Sequence, residues 1–247
     1  RNSIAAEKHR FHRAPLPADL TGQRILIERD QGLGDELFFL RFAAELRNRG
    51  ARTAYLPDDR IAAMIARAGI VDDIVGESGS SCDYRVSVGD LPWLVGMGDG
   101  DAVPGPFPIP PAAGIEAGLA ERLAACGPRP WIAVTWRAGT DNADRLLFKA
   151  APPAGIAAAM QGAPGTVFAV QRGPREGELA AFERDLGRPV HDLTALNADL
   201  ETMLALMGLF DVYVGVSNTN VHLRAARAGR SHVLVPNPPE FRWMQAG

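Results

Sequence analysis

Short apolar runs alternate along this chain with longer segments whose apolar positions recur at helical spacing. The run at 24–29 (RILIER) predicts a strand, and the glycine-containing turn at 30–34 follows it. A helix is predicted over 35–48, ended by Gly50. Strands that alternate with helices in this way form parallel sheets with both faces covered.

The alternation continues on both sides of a proline-rich segment at 103–111 (VPGPFPIPP). Proline removes amide donors and keeps its neighbours extended, so neither a helix nor a central strand is predicted there. Before this segment the pattern predicts strands at 52–56, 73–75 and 84–88 and a helix at 60–68. After it, the pattern predicts helices at 115–125, 156–160, 176–185, 200–209 and 219–228, and strands at 131–136, 166–170, 190–192, 212–216 and 232–235.

The restart of the pattern predicts an α/β protein with two Rossmann-like domains and a boundary in the proline-rich segment. We assign residues 24–110 to the first domain and residues 111–247 to the second. The chain opens with Arg1 and a mixed, basic stretch, so we expect residues 1–23 to be an extension or linker that continues something upstream. Ligands bind at the carboxyl ends of the strands in such sheets, and the loops there are where chemistry is expected.

Composition narrows the classes of partner. The 26 Lys+Arg against 29 Asp+Glu give a formal net charge of −3, which offers no electrostatic reason to expect nucleic acid. Cys82 and Cys126 stand without a CxxC motif or a His-rich neighbour, which excludes a disulfide scaffold and favours a reducing cytoplasm. The longest apolar stretch, 203–216, is interrupted by Asp211 and is shorter than the roughly 20 residues a bilayer requires, so no membrane span is predicted.

Several catalytic classes are not indicated by any motif. The 5 histidines form no HExxH or comparable ligand spacing. No GxSxG elbow occurs, and neither cysteine has the context of a known nucleophile. We therefore expect neither metal dependence nor serine or cysteine acyl transfer.

The loop after the first predicted strand is the first candidate site. Gly32 and Gly34 allow tight turns, and Asp35 falls at the predicted helix start, where it meets unpaired amides. One interpretation is that Asp35 only caps the helix. The other is that its carboxylate acts as a general base that takes a proton from an acceptor hydroxyl.

A dinucleotide-binding fingerprint is a rival interpretation of this loop. Gly32 and Gly34 match its first half, and Asp58 or Asp59 lies about 20 residues further on. Leu37 occupies the place of the third glycine, where a large side chain disfavours the close helix–strand contact that the fingerprint uses.

The segment 215–222 (GVSNTNVH) is the second candidate site. Free amides and small polar side chains at a helix N-terminus form a ready anion site that suits a diphosphate. We place Ser217, Asn218, Thr219, Asn220 and His222 in this site. The alternatives remain open that Ser217 or Asn218 is an ordinary N-cap and that His222 is a packing residue.

Two further loops carry polar candidates. Arg137, Arg145 and Lys149 follow the predicted strand at 131–136 and could neutralise phosphate oxygens, although surface solvation alone explains most such cations. Gln171, in a polar glycine-containing turn after the strand at 166–170, could contact a base or a ribose.

Four segments carry a family resemblance: ILIERDQGLGDELFFLRF (25–42), IAVTWRAGT (132–140), LALMGLFDVYVGVSNTNVHLRAARAG (204–229) and HVLVPNPPEFRWM (232–244). Together they resemble glycosyltransferase family 9, which contains the heptosyltransferases of lipopolysaccharide synthesis and related C-terminal domains of bacterial tetratricopeptide-repeat proteins. The QGLGDELFF loop and the closing PPEFRWM are typical of the repeat-linked branch.

The resemblance implies a GT-B fold with two Rossmann-like domains that face a cleft. It also implies a nucleotide-sugar donor on the second domain, a glycan or protein acceptor on the first, and inverting transfer without a metal or other cofactor. Asp35 matches the family's GD aspartate, the proposed base, and Lys149 matches a lysine that contacts donor phosphate. The family's Asp-Thr is replaced here by Asn218-Thr219, with His222 retained.

The expected function is therefore glycosyl transfer, with Asp35 as base and the amides at 218–220, Lys149 and Arg137 holding the leaving diphosphate. A second hypothesis is a GT-B-like module that binds nucleotide, glycan or protein without catalysis. A third is an NAD-dependent oxidoreductase.

Overall fold

The structure, a computed structural model, describes residues 11–30, 32–76, 81–98, 100–138 and 149–237. The chain divides into two compact units, Arg1–Pro110 and Pro111–Gly247. Each unit is built on one parallel β-sheet whose strands are joined through helices. This is the α/β architecture that the alternating pattern predicts.

The first unit has a four-stranded sheet in the order β3-β2-β1-β4, with every described pair parallel. Three residues at the centre of β1 have no solvent exposure, as expected for a strand covered on both faces. The strands are β1 (Arg24–Glu28), β2 (Arg52–Leu56), β3 (Asp73–Ile74) and β4 (Tyr84–Ser87). The α-helices are α1 (Leu33–Phe39), α2 (Ala43–Asn48), α3 (Asp59–Ala68) and α4 (Leu91–Leu94).

The second unit has a five-stranded parallel sheet in the order β7-β6-β5-β8-β9. The strands are β5 (Trp131–Val134), β6 (Thr166–Ala169), β7 (Val190–Asp192), β8 (Val212–Val216) and β9 (Ser231–Leu234). The helices are α5 (Ile115–Cys126), α6 (Pro153–Met160), α7 (Glu178–Leu186), α8 (Leu200–Leu209) and α9 (Thr219–Ala226).

The core of the second unit lies where β5 and β6 pack against α6 and α7. Trp136 stacks on Phe182 with ring centroids 5.1 Å apart, and both side chains are buried. Around them lie Ile132, Val134, Ile156, Ala157, Met160, Val167, Ala169, Leu186 and Val190. The continuous apolar runs of β5 and β6 are required because helices cover both faces of a parallel sheet.

The single helix predicted over 35–48 is wrong in detail. It begins two residues earlier, at Leu33, and a 3₁₀ turn at Leu40–Phe42 separates α1 from α2. A further 3₁₀ turn at Val88–Asp90 leads into α4, which the sequence pattern did not predict. In the second unit α6 begins at Pro153, three residues before the predicted start at 156. Proline is tolerated in the first turn of a helix, so it does not prevent the helix from beginning there.

The described part of the predicted N-terminal linker packs on the first unit. Leu16 and Leu20 are buried, and the Leu16 amide donates to the Leu94 carbonyl at 2.8 Å. His12 donates its amide to the Arg85 carbonyl at 2.7 Å, beside β4. Among the residues that the structure describes, no helix combines the length and the apolar character needed to cross a membrane.

Candidate functional site

The two sheets each contain a point where the strand order reverses. In the first sheet it lies between β1 and β4, and in the second between β5 and β8. Loops at the carboxyl ends of strands at such points form the usual ligand crevice of an open α/β sheet. The loops after β1, β5 and β8, which carry most of the predicted site residues, lie at these positions.

Asp35 lies in the first turn of α1 rather than at its start. Gly32 is the N-cap, Gly34 lies within the helix, and Asp35 is the third helical residue. The Asp35 carboxylate accepts a hydrogen bond from the Gly32 amide at 3.3 Å, so its local capping role is confirmed. The side chain is half-buried. Its role as a base stays a prediction.

Glu36 is an internal carboxylate that sequence analysis missed. It is 1% exposed, and its Oε2 accepts from the Tyr55 hydroxyl at 2.6 Å and from the Asp58 amide at 3.0 Å. Burial raises the pKa of Glu36 above its ordinary value, although the two hydrogen bonds oppose that rise. Its position four residues before the buried Leu40, on the apolar face of the helix, was the available signal.

Asp58, a candidate ribose contact in the dinucleotide hypothesis, caps α3 instead. Its carboxylate accepts from the Arg60 amide at 3.0 Å and also pairs with Arg29 at 3.2 Å. Hydrogen bonding from the Arg60 guanidinium lowers the pKa of Asp58 to about 2. Leu37, in the place of the missing third glycine, is buried in the core of the first unit.

The loop after β8 confirms the N-cap interpretation of Asn218. Its carboxamide oxygen accepts from the Tyr213 hydroxyl at 3.1 Å and from the Val221 amide at 3.3 Å, and α9 begins at Thr219. Asn220 is buried and donates to Asn197 Oδ1 at 3.2 Å. Contact of these residues with an anion stays a prediction.

His222 and Ser217 are both buried beside this helix start. Ser217 is 1% exposed, and its hydroxyl makes no hydrogen bond to any described residue. A buried hydroxyl without a partner loses the free energy of its hydrogen bond to water, so it is an exception that calls for a cause. A ligand that accepts this hydrogen bond is one such cause.

A cavity of about 240 Å³ lies beside Ser217, in the loop just before α9. Its walls are mostly apolar, with one cation and one hydroxyl among them. The lining residues are Lys149, Ala150, Ala151, Pro152, Val216, Ser217, Leu234, Val235 and Pro236. The structure thus brings together, on one cavity wall, Lys149 and Ser217, which are 68 positions apart in the sequence.

Arg137 and Gln171 are engaged within the protein. The Arg137 guanidinium forms an ion pair with Glu178 at 3.0 Å and donates to the Gly173 carbonyl at 3.2 Å. Gln171 is fully buried, and both its oxygen and its nitrogen are hydrogen-bonded to neighbouring loops. Every polar atom of the Gln171 side chain is thus engaged within the protein in this structure, and its contact with a base or ribose stays a prediction.

Some predicted features lie outside the described residues. They are Arg145 and the closing PPEFRWM motif. Within the described ranges, no group of three or more His, Cys, Asp or Glu side chains is arranged to hold a metal ion.

Comparison with known protein sequences gives one informative relative. No family model matches the chain. Protein FlbA of Caulobacter vibrioides is 26% identical over 232 residues, which cover 84% of this chain. The chain spans only 38% of the length of that relative.

Comparison with solved structures identifies the fold. A glycosyltransferase family 9 protein from Veillonella parvula superposes with a TM-score of 0.62 at 11% identity, covering 88% of this chain and 81% of that one. ADP-heptose lps heptosyltransferase II of E. coli gives 0.57 at 13% identity, covering 90% and 88%. The dodecameric, iron-containing glycosyltransferase TibC of enterotoxigenic E. coli gives 0.61 at 12% identity, covering 90% and 62%. The chain therefore has the GT-B-like fold of the family 9 glycosyltransferases.

Proposed function

We propose that this chain transfers a sugar from a nucleotide-sugar donor to a hydroxyl group of a glycan or protein, with inversion and without a required metal or other cofactor. The observation that carries the proposal is the buried, unpartnered Ser217 hydroxyl at the N-terminus of α9, on the wall of a cavity that Lys149 also lines. The GT-B-like fold shared with solved glycosyltransferases supports it.

The second unit suits the donor because a cavity with a cation and a hydroxyl on its walls lies next to the loop that precedes α9. The helix begins two residues after Ser217, and its first amides have no acceptor within the helix and lie at the positive end of its dipole. Lys149 supplies a positive charge, and Ser217 supplies a hydroxyl donor. Negative charge grows on the diphosphate as the glycosidic bond breaks, so these groups bind the transition state more strongly than the ground state.

The first unit suits the acceptor because Asp35 presents a half-buried carboxylate on a short, well-anchored helix turn. The acceptor oxygen attacks the anomeric carbon from the face opposite the nucleotide. The bond from that carbon to the phosphate oxygen breaks, and its electron pair leaves with the nucleoside diphosphate. The proton of the acceptor hydroxyl passes to Asp35, which acts as the general base.

The similar solved structures indicate which nucleotide sugar to test first as the donor. The structure of TibC contains ADP-D-β-D-heptose, and heptosyltransferase II is described as an ADP-heptose enzyme. We also propose that this chain belongs to the tetratricopeptide-repeat-linked branch of the family and that a repeat domain lies upstream in the full-length protein. The proposed location is the cytoplasm.

Calorimetric titration with ADP tests the donor site. The wild-type chain is expected to bind ADP, and Ser217→Ala is expected to bind it about tenfold more weakly, because a hydrogen bond to a charged group contributes about 1.5 kcal/mol. The variant keeps its stability, since the hydroxyl has no partner among the described residues. Ser231→Ala, at the start of β9, is the matched control and leaves binding unchanged. If ADP, UDP and GDP all fail to bind the wild type, the donor site is refuted.

A binding module without catalysis is the second candidate. Arg137 is expected to contact the donor diphosphate in the transferase hypothesis. Its ion pair with Glu178, in which both side chains are largely buried, offsets the positive charge that this contact would use. A transferase releases ADP from ADP-heptose when an acceptor is added, whereas a binding module retains the intact sugar nucleotide. Measuring free ADP with and without acceptor distinguishes the two.

A further inference from the structure

Gln171 forms a hydrogen-bonded clamp at the carboxyl end of the second sheet. Its side chain has no solvent exposure. The carboxamide oxygen accepts from the Thr135 hydroxyl at 2.7 Å, the Trp136 amide at 3.0 Å and the Arg137 amide at 2.9 Å. The carboxamide nitrogen donates to the Arg137 carbonyl at 3.1 Å and the Arg172 carbonyl at 2.9 Å. One side chain thus fixes the ends of both β5 and β6.

The segment that Gln171 holds also places Lys149. The Ala138 amide donates to the Lys149 carbonyl at 2.8 Å, and the Ala151 amide donates to the Trp136 carbonyl at 2.8 Å. Arg137 and Ala150 are paired in an antiparallel bridge. Lys149 is therefore attached, through backbone hydrogen bonds, to the stretch whose amides Gln171 holds.

The chemistry of this clamp is specific to glutamine. The site requires an acceptor for three donors and a donor of two hydrogens, all within a side chain that carries no charge. Glutamate would place an oxygen against the two carbonyl oxygens of Arg137 and Arg172, and asparagine is shorter by one methylene group. A fully satisfied buried network of this kind fixes one geometry of the groups around it.

We propose that Gln171 is a positioning residue for the anion site of the second unit and acts on bound diphosphate through Lys149. This inference rests on the proposed function, because it takes the cavity beside Ser217 as the diphosphate site. Gln171 does not touch the ligand. It sets the position of the Lys149 backbone, on which the distance from the ammonium group to the phosphates depends.

A double-mutant cycle tests this role, with ADP as the probe and calorimetry as the measurement. Gln171→Glu and Lys149→Met are each expected to weaken ADP binding about tenfold. Because both changes remove the same interaction, the double variant is expected to bind within about twofold of the weaker single variant. Gln161→Glu, whose wild-type side chain donates to the Asp185 carbonyl at 3.0 Å, is the matched control and leaves binding unchanged.

Each alternative outcome has a defined meaning. A double variant that binds about 100-fold more weakly than wild type would show independent effects and would overturn the role of Gln171. Wild-type affinity in Gln171→Glu would overturn it as well. If Gln171→Glu does not fold, Gln171→Asn takes its place in the same cycle. If the wild type binds none of ADP, UDP, GDP and inorganic pyrophosphate, the proposed function and this inference both fail, whereas the first two outcomes leave the proposed function intact.

Discussion

Asp35 is the residue on which the proposed chemistry depends most directly. Asp35→Asn is expected to lower the rate of ADP release from ADP-heptose in the presence of acceptor by about 100- to 10,000-fold, the usual contribution of a positioned base. The asparagine oxygen can still accept the Gly32 amide, so the melting temperature is expected to stay unchanged. Asp59→Asn, in the first turn of α3, is the matched control. A near wild-type rate in folded Asp35→Asn would remove Asp35 from the mechanism.

Glu36 gives the first unit a pH dependence with a definite sign. Its pKa is raised by burial above the ordinary value of 4.5, so the folded state keeps a proton that the unfolded state has released. Stability from this group is therefore fully present at low pH and is lost as pH rises from 4.5 through the folded pKa.

Glu36→Gln tests that sign. Glutamine can present one oxygen to both Tyr55 and Asp58, and it does not titrate, so the variant is expected to lose less stability than wild type between acidic and neutral pH. Urea unfolding over this pH range measures the difference, and Glu121→Gln on the exposed face of α5 is the control. A parallel pH dependence in wild type and Glu36→Gln would contradict the prediction.

Residue identity alone could indicate candidate ligand contacts such as Asp35 and Lys149, but it could not separate ligand contacts from internal ones. Gln171 and Asn218 are both polar residues that follow a strand, as ligand contacts do, and both are engaged by neighbouring main-chain or side-chain groups. Whether such a residue contacts a ligand or its own protein depends on which loops lie beside it. Strand order, rather than local sequence, determines which loops those are.

At the scale of elements, Arg224 connects three segments of the second unit. This buried side chain of α9 donates to the carbonyls of Met207, Asp211 and Arg230, which lie near the end of α8, before β8 and before β9. Gly229 lies directly against the guanidinium: a Cβ there would come within 2.0 Å of Arg224 Cζ. The absence of a side chain at 229 is thus a packing requirement.

Gly229→Ala is therefore expected to lower the free energy of unfolding by about 3 kcal/mol, because the displaced guanidinium leaves buried carbonyl groups unsatisfied. Gly118→Ala is the control: its Cβ would meet no atom within 4 Å, and alanine in a helix interior adds roughly 0.5–1 kcal/mol. Chemical denaturation measures both. Equal stabilities of the two variants would show that Arg224 adapts without loss.

Element order was predictable from the sequence because apolar periodicity and glycine or proline breaks are local signals. All nine described strands appear where the pattern placed them, within a few residues. The division of the helix after β1 was not predictable, since the periodicity of 35–48 is continuous. The 3₁₀ turn at Leu40–Phe42 contains buried Leu40 and Phe42 and is followed by buried Ala43. The change of helix type therefore coincides with packing in the core and not with a glycine or proline.

At the scale of the whole molecule, each unit has its own sheet and its own core, so a ligand of one unit need not stabilise the other. ADP at about 100 times its dissociation constant is expected to stabilise the unit that binds it by roughly 2.7 kcal/mol. We expect the increase in amide-exchange protection in the second unit, including β5 and β8, with β1 and β2 unchanged. Protection confined to β1 and β2 would reverse the assignment of the donor domain.

The antiparallel pairing of 137 with 150 has a consequence for protein engineering. The two hydrogen bonds that flank it, from Ala138 to Lys149 and from Ala151 to Trp136, hold both ends of the intervening stretch at fixed anchor points. Ala151→Pro would remove one of these two bonds, because proline has no amide hydrogen, and would release residues 149–151 from the end of β5.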